Sequence, residues 1–242
     1  MTLKKHIPNV ITALNIACGT LAVIAVFRWN LQTAACFIFA GALFDFCDGA
    51  VARLLKVSGA FGKELDSLCD VVTFGVAPGV MVYKMMLDNT MALNDFGGQS
   101  WIPLLAVLIP VFSALRLAKF NLDERQTTGF LGLPTPANAL FFAGMPFIDN
   151  PFLLSLLELP WLLPVLTVIF SLLLVTEIPL FSLKFKNLKR KGNKIRYIFL
   201  ICAIMMMVLH RNNALPVVIL FYILLSGLTI IFKKRKHEST KI

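Results

Sequence analysis

The chain has 242 residues, 58% of them hydrophobic and only 15% charged, and a net charge of +10. A soluble domain carries about a quarter charged residues, so this composition excludes an ordinary water-soluble globule and points to an integral membrane protein. The basic excess does not make a nucleic-acid binder: with eight membrane helices, 20 of the 23 Lys and Arg share one side, leaving only Arg28, Lys84 and Arg211 on the other.

That asymmetry is the positive-inside pattern. It predicts a multi-pass protein of the cell (cytoplasmic) membrane with both termini in the cytoplasm. Cations on that side face anionic headgroups, each contributing on the order of 1 kcal/mol. The partner that composition predicts is therefore the lipid bilayer and not nucleic acid.

Apolar runs of spanning length, roughly 17–25 residues each, recur from Ile7 to Phe232 and leave no room for a separate soluble domain. The expected fold is all-α and polytopic. Met1–Thr20 begins like a signal peptide, but Pro8, Asn9, Thr12 and Asn15 interrupt its apolar run, so it reads as an uncleaved first helix, about Pro8–Phe27. A turn at Trp29–Asn30 leads to helix two, Leu31–Leu55, and Ser58–Gly59 in the next link read as another turn. Helix three is expected over Gly62–Met86, followed by an external loop, Leu87–Ser100. Helix four covers Trp101–Asn121 and helix five runs from the Pro134–Pro136 pair to before Pro151. Helix six is expected over Trp161–Leu183, then a basic linker, Lys184–Arg196, with which Glu177 is expected to pair. Helix seven, Tyr197–Leu209 and short for a span, and helix eight, Leu215–Phe232, complete the chain before a basic tail. The five cysteines form no CxxC pair and lie in apolar segments, as inert buried thiols do. His6, His210 and His237 are scattered and form no metal cluster.

One stretch is out of keeping with this scaffold. Between Gly41 and Gly79, Asp45, Asp48, Asp66 and Asp70 sit in sequence that otherwise reads as membrane helix. An ionised carboxylate at the bilayer centre costs roughly 2.5–3.5 kcal/mol, so the four need compensation even near the helix ends. At about 100° per residue, Asp45, Asp48, Gly49 and Ala52 share one stripe bordered by Arg53, while Gly62, Asp66 and Asp70 share one face of the next helix. Joined by a short turn, the two faces can oppose each other. Oxygen ligands converging without Cys or His suit a hard cation such as Mg²⁺ or Mn²⁺. Gly49, Ala52 and Gly62 leave room for a phosphate and sugar, and Arg53 offers a guanidinium fork for phosphate. The alternative is that the acids pair with Arg53 and Lys63 merely to clamp helices together.

The spacing Asp45-x2-Asp48-Gly49-x2-Ala52-Arg53-x8-Gly62-x3-Asp66-x3-Asp70 resembles the complete signature of the CDP-alcohol phosphotransferase family. The phosphatidylserine synthase branch is further resembled by Pro8–Thr12 with Leu14, Asn15 and Gly19, by Leu65–Pro78, and by Leu115–Asn121 followed by Gly132–Pro134. Phosphatidylglycerophosphate synthases usually carry Lys after the last aspartate, where this chain has Val71. The resemblance covers about residues 7–180.

It implies a six-helix core, residues 1–183, and a separate segment, 184–242, of basic linker, two extra helices and basic tail. It implies transfer of a phosphatidyl group from CDP-diacylglycerol to L-serine, giving phosphatidylserine and CMP at the cytoplasmic face. By residue, it implies two divalent ions held by Asp45, Asp48 and Asp66, with Asp70 as general base that also reaches the second ion. Gly49, Ala52, Arg53 and Gly62 match nucleotide-binding positions, with Thr12 and Asn15 bordering them. Arg116, Lys119 and Lys63 are the candidate cations for the serine carboxylate, with Asn121 as a polar partner; Arg116 leads because it lies deepest in an apolar helix. A homodimer is common in the family. Another acceptor alcohol, glycerol 3-phosphate or inositol, remains an alternative, as does a divalent-cation transporter with the aspartates as transit site.

Overall fold

The computed structural model describes residues 3–57, 59–93, 101–122, 130–180 and 193–238. Helix α1 (Leu3–Arg28) and helix α2 (Leu31–Leu55) are apolar on most of their circumference and pack along one another. Their shared core includes Ala22, Ala25, Ala34 and Ala35, small side chains that let membrane helices approach closely. Asn30 caps α2, its side chain accepting from the Thr33 amide at 2.7 Å. Helix α1 begins five residues before the expected Pro8, which lies inside it. An early proline forfeits one amide bond near an end where few are made, and the added turn brings His6 into the described structure.

Helix α3 (Ala60–Asp70) segregates polar from apolar residues more sharply than its neighbours. It runs into a π-helical turn, Val71–Val76, and then α4 (Ala77–Leu93). Helix α4 therefore continues past Leu87, where an external loop was expected. Next come a 3-10 turn, Ile102–Val107, and α5 (Leu108–Leu122).

The expected fifth helix is broken. Helix α6 (Thr135–Gly144), a 3-10 turn at Met145–Phe147 and α7 (Pro151–Leu157) form a pair of segments bent by 114°. Helix α8 (Leu162–Val175) ends eight residues before the expected Leu183. The residue before a proline disfavours helix, and Ile178 precedes Pro179. Instead β2 (Pro179–Leu180) pairs antiparallel with β1 (Phe130–Leu131). Gly132, at φ 73°, passes so close to the Leu174 carbonyl that a Cβ would lie 2.5 Å from it. At 14 residues, α8 is about 21 Å long by 1.5 Å per residue, shorter than the ~30 Å hydrocarbon core. Phe170 of α8 stacks on Phe141 of α6 at 3.9 Å between ring centroids.

Helices α9 (Lys194–His210) and α10 (Ala214–Glu238) form a hairpin, turning at Arg211 with φ 41°. Phe199 meets Tyr222 edge-on, 5.6 Å apart. Among the described residues, five helical runs are long and apolar enough to cross a membrane, counting 195–229 as one, and six with the bent pair. The fold is an all-α, polytopic membrane protein. The expected basic linker falls mostly on residues 181–192, outside the described residues, as does loop segment 123–129. The five cysteines are free thiols.

Candidate active site

The turn between α2 and α3 sets the site. Lys56 adopts the left-handed conformation (φ 51°), and its amide donates to the carbonyls of Ala52 and Arg53. The chain reverses within a few residues, and α3 returns beside α1 and α2. Asp45 and Asp48 from α2 and Asp66 from α3 then offer carboxylate oxygens that all lie within 4.8 Å of one another. Asp48 is 6% exposed and accepts from the Thr12 hydroxyl at 2.6 Å. Asp66 keeps a buried Oδ1 without a hydrogen-bond partner.

Among the described residues, none of the four aspartates takes part in an ion pair; the pairs present are Lys84–Asp88 and Lys119–Glu177. Lys63 instead donates to the Asn121 carbonyl at 3.1 Å, and Arg53 is exposed. The clamp alternative required those cations on the acids. Three buried or half-buried carboxylates crowded together repel one another, and one oxygen is left without a donor. That arrangement, with no Cys or His in the group, fits a divalent cation held by Asp45, Asp48 and Asp66.

Asp70 stands one turn beyond Asp66. It is 8% exposed, and its Oδ1 accepts from Asn15 Nδ2 at 3.2 Å. The other three aspartates lie within electrostatic reach of it. Its setting is fixed from the next turn. The Thr73 hydroxyl, in the π-helical segment, donates to the Asn15 carbonyl at 3.0 Å. Thr73 is wedged between α1 and α2: a Cβ on Gly19 would lie 2.5 Å from its Oγ1, and one on Gly41 2.5 Å from its Cγ2. Two glycines thus allow three helices to meet directly behind the carboxylate, and a π turn at such a point commonly marks a functional site.

In front of the acids opens a cleft of about 850 Å³ between the start of α1 and the α2–α3 turn. It is lined by the expected Thr12, Ala52, Arg53, Gly62, Lys63 and Asp66. Gly49 lies beside Arg53, 3.6 Å separating its ideal Cβ position from Nη1. His6, Asn9, Lys56 and Phe61 line it too. Asn9 falls within the expected first helix and the Pro8–Thr12 stretch, whereas His6 required the earlier start of α1 and Lys56 and Phe61 the geometry of the turn. A cleft with Asp66 at one end and a cationic, small-residue mouth suits a phosphate ester, and a metal held by Asp45, Asp48 and Asp66 would supply positive charge beside it.

The remaining candidates diverge. Arg116 is 7% exposed; its Nη1 donates to Thr135 Oγ1 at 3.3 Å, and its guanidinium lies 5.8 Å from the Phe120 ring centroid. It also lies within electrostatic reach of Asp70. Lys119 pairs with Glu177 at 3.0 Å, both largely exposed. That gives Glu177 a partner within the described residues, where the basic linker was expected to supply it. Asn121 donates to Ser67 Oγ at 2.8 Å, tying α5 to α3. Arg116 therefore faces α6, Lys63 and Asn121 link α3 to the end of α5, and Lys119 reaches the segment after α8.

Fold and site together define a membrane-embedded enzyme with an acidic centre at the end of a phosphate-sized cleft. The chain belongs to the CDP-alcohol phosphatidyltransferase family, whose model matches residues 5–173. It is similar to the CDP-diacylglycerol–serine O-phosphatidyltransferase of Bacillus subtilis, 36% identical over 152 residues, 63% of this chain and 81% of that protein. The enzymes of the same name from Methanocaldococcus jannaschii and Mycobacterium leprae are 33% and 34% identical, over 71% and 72% of this chain. These matches span 72% of the archaeal protein and 57% of the mycobacterial one. Family membership favours the transferase over the transporter alternative.

Proposed function

We propose that the protein transfers a phosphatidyl group from CDP-diacylglycerol to the hydroxyl of L-serine, releasing CMP. The observation that carries this reading is the convergence of Asp45, Asp48 and Asp66, paired with no Lys or Arg among the described residues, beside a cleft that Asp66 and Arg53 both line. The serine acceptor is supported by the names of the relatives and by the Leu65–Pro78 and Leu115–Asn121 segments.

Asp45, Asp48 and Asp66 hold Mg²⁺ or Mn²⁺, two ions in this reading, with Asp70 reaching the second. When bound, such ions neutralise charge building on the CMP leaving group and orient the pyrophosphate. Arg53, at the mouth, binds phosphate; Ala52, Gly49 and Gly62 leave room for the ribose and base, which Thr12 and Asn15 border. Thr12 also fixes the orientation of Asp48 through its 2.6 Å bond. Asp70 accepts the serine hydroxyl proton as that oxygen bonds to the β-phosphorus, and the bond from that phosphorus to the CMP oxygen breaks. Asn15 holds the Asp70 carboxylate in place through Oδ1.

The one-sided distribution of Lys and Arg supports a cell-membrane location, cytoplasmic termini and a cleft open to the cytoplasm. Residues 1–183 form the catalytic core in this reading, with 184–242 appended. A homodimer rests on the resemblance alone. The test is incubation of the purified protein with CDP-diacylglycerol, Mg²⁺ or Mn²⁺ and a panel of alcohols. CMP release with serine, and not with glycerol 3-phosphate or inositol, is the expected result; release with one of the others instead overturns the acceptor.

A further inference from the structure

The end of the bundle away from the cleft is tied together by side chains that bond across its turns. Gln32, in the first turn of α2, donates to the Pro146 carbonyl at 3.0 Å, and Asn89, near the end of α4, donates to the Leu157 carbonyl at 2.7 Å. Between those two points the chain turns by 114° from α6 into α7. Asn150 caps the start of α7, its side chain accepting from the amides of Phe152 and Leu153. Seven residues rise only about 10 Å, far less than the ~30 Å hydrocarbon core. Helix α7 therefore lies across this end of the bundle and does not run through it. Its residues divide three ways at about 100° per residue. Leu153, Leu156 and Leu157 share one side and are half-buried, Ser155 and Glu158 fall on the opposite side and are exposed, and exposed Phe152 stands on the flank between them. Hydrocarbon penalises the polar strip and water penalises the phenylalanine, whereas a helix lying along the headgroup boundary satisfies both.

The chain's three tryptophans fall at this same end. Trp29 closes α1, Trp161 lies between α7 and α8, and Trp101 precedes the 3-10 turn that packs on α4. Ala106 and Pro110 stand opposite Gly79, so Trp101 lies further toward the end of α4. All three are more than half exposed, and none lines the cleft. An indole has an apolar body and one N–H, and it concentrates where hydrocarbon meets headgroups. The length of α1 agrees. Asn9 lines the cleft, and the helical hydrogen bonds continue to the Trp29 amide, which donates to the Ala25 carbonyl at 3.0 Å. From position 9 to position 29 the rise at 1.5 Å per residue is about 30 Å, the thickness of the hydrocarbon core.

We propose that α7 lies along the headgroup boundary of the leaflet opposite the cleft, and that Phe152, Trp29, Trp101 and Trp161 form an aromatic belt binding that lipid surface. The partner is the bilayer interface itself, continuous with the lipid-facing surface of the spans. Exposed apolar side chains lead from each tryptophan toward the middle of its helix: Ile24 from Trp29, Leu104 from Trp101, Val165 from Trp161. The belt holds the molecule at a depth where the mouth of the cleft meets the other headgroup layer, the level of a lipid's phosphates. The inference is independent of which alcohol accepts the phosphatidyl group.

The test reads depth in the full-length protein, reconstituted in phosphatidylcholine vesicles that carry bromine on the acyl chain either near the headgroup or near the chain end. Each variant holds one tryptophan, the others being replaced by phenylalanine: Trp29, Trp101 or Trp161 alone, and Phe152→Trp in a chain lacking all three. Ile169→Trp, at an exposed position midway along α8, serves as the deep reference. Bromine near the headgroup should quench each belt position at least about twofold more than deep bromine, and the reference should show the reverse. Quenching of Phe152→Trp that follows the reference overturns the proposal. So does quenching of that variant by aqueous iodide and by neither lipid, or deep quenching at any of the three native tryptophans. Should the substituted chains fail to fold, fluorotryptophan at the native sites, with Phe152→Trp as the one added site, is read by fluorine NMR against paramagnetic lipid. Strongest broadening by a headgroup-level radical is expected, and strongest broadening by a chain-end radical overturns the proposal.

Discussion

Asp70 stands between two unlike regions. On one side, the cleft of α1, α2 and α3 is rimmed by Arg53, Lys56 and Lys63 and lined by Asp66, against which Asp45 and Asp48 crowd. On the other, Arg116 of α5 is buried and bonded to Thr135 of α6, with Asn138 buried one turn further along α6. In the proposed reading, the difference matches two kinds of ligand. A nucleotide-bearing lipid is large and polyanionic, and is suited by an open mouth with cations and metals. A small amino acid is held by few groups, each strengthened by burial. The carboxylate between them belongs to both.

The sharpest way to break this division is at its boundary. Asp70→Asn should lower turnover by about 10²–10⁴-fold, the usual weight of a positioned general base, while CDP-diacylglycerol binding persists. Near-normal turnover would remove Asp70 from the proton transfer.

The next largest effects belong to the cleft alone. Thr12→Val deletes the hydrogen bond to Asp48 and should raise the metal concentration needed for half-maximal CMP release by about 10-fold or more, as loss of an outer-shell partner does. The serine KM should not follow; if it does, the two regions are not separable. Behind the site, Gly41→Val drives methyl groups into Thr73 and should cost about 1–3 kcal/mol, read as a lower melting temperature. An unchanged melting temperature would mean that α1, α2 and the π turn have slack. Smallest is Glu177→Gln, which removes an exposed ion pair with Lys119 and should change stability by less than about 1 kcal/mol. A larger loss would give the α5–α8 seam more weight than its exposure allows.

The two regions also differ in how visible they are from sequence. The cleft is built from residues 6–70, on consecutive helices joined by tight turns, so helical periodicity alone placed Asp45, Asp48 and Asp66 together. Its unforeseen members His6, Lys56 and Phe61 depend on where α1 starts and how the Lys56 turn bends. Arg116 and Thr135 sit on different helices, and only tertiary packing brings them together. Arg116 drew attention as an arginine deep in an apolar helix. Asn138 carried the same signal, an amide within an apolar segment, but no partner nearby in sequence. The break in the fifth helix and the early end of α8 were harder to see. Pro146, Pro151 and Pro179 marked them, but the β1–β2 pairing that replaces the last turns of α8 is a long-range contact.

The most direct test of the central claim is Mn²⁺ binding to the purified protein, followed by electron paramagnetic resonance with CDP-diacylglycerol present. Saturable binding in the wild type, lost in Asp48→Asn and Asp66→Asn along with CMP release, is the predicted result. Equal Mn²⁺ binding by both variants, or CMP release that continues in excess chelator, would contradict it.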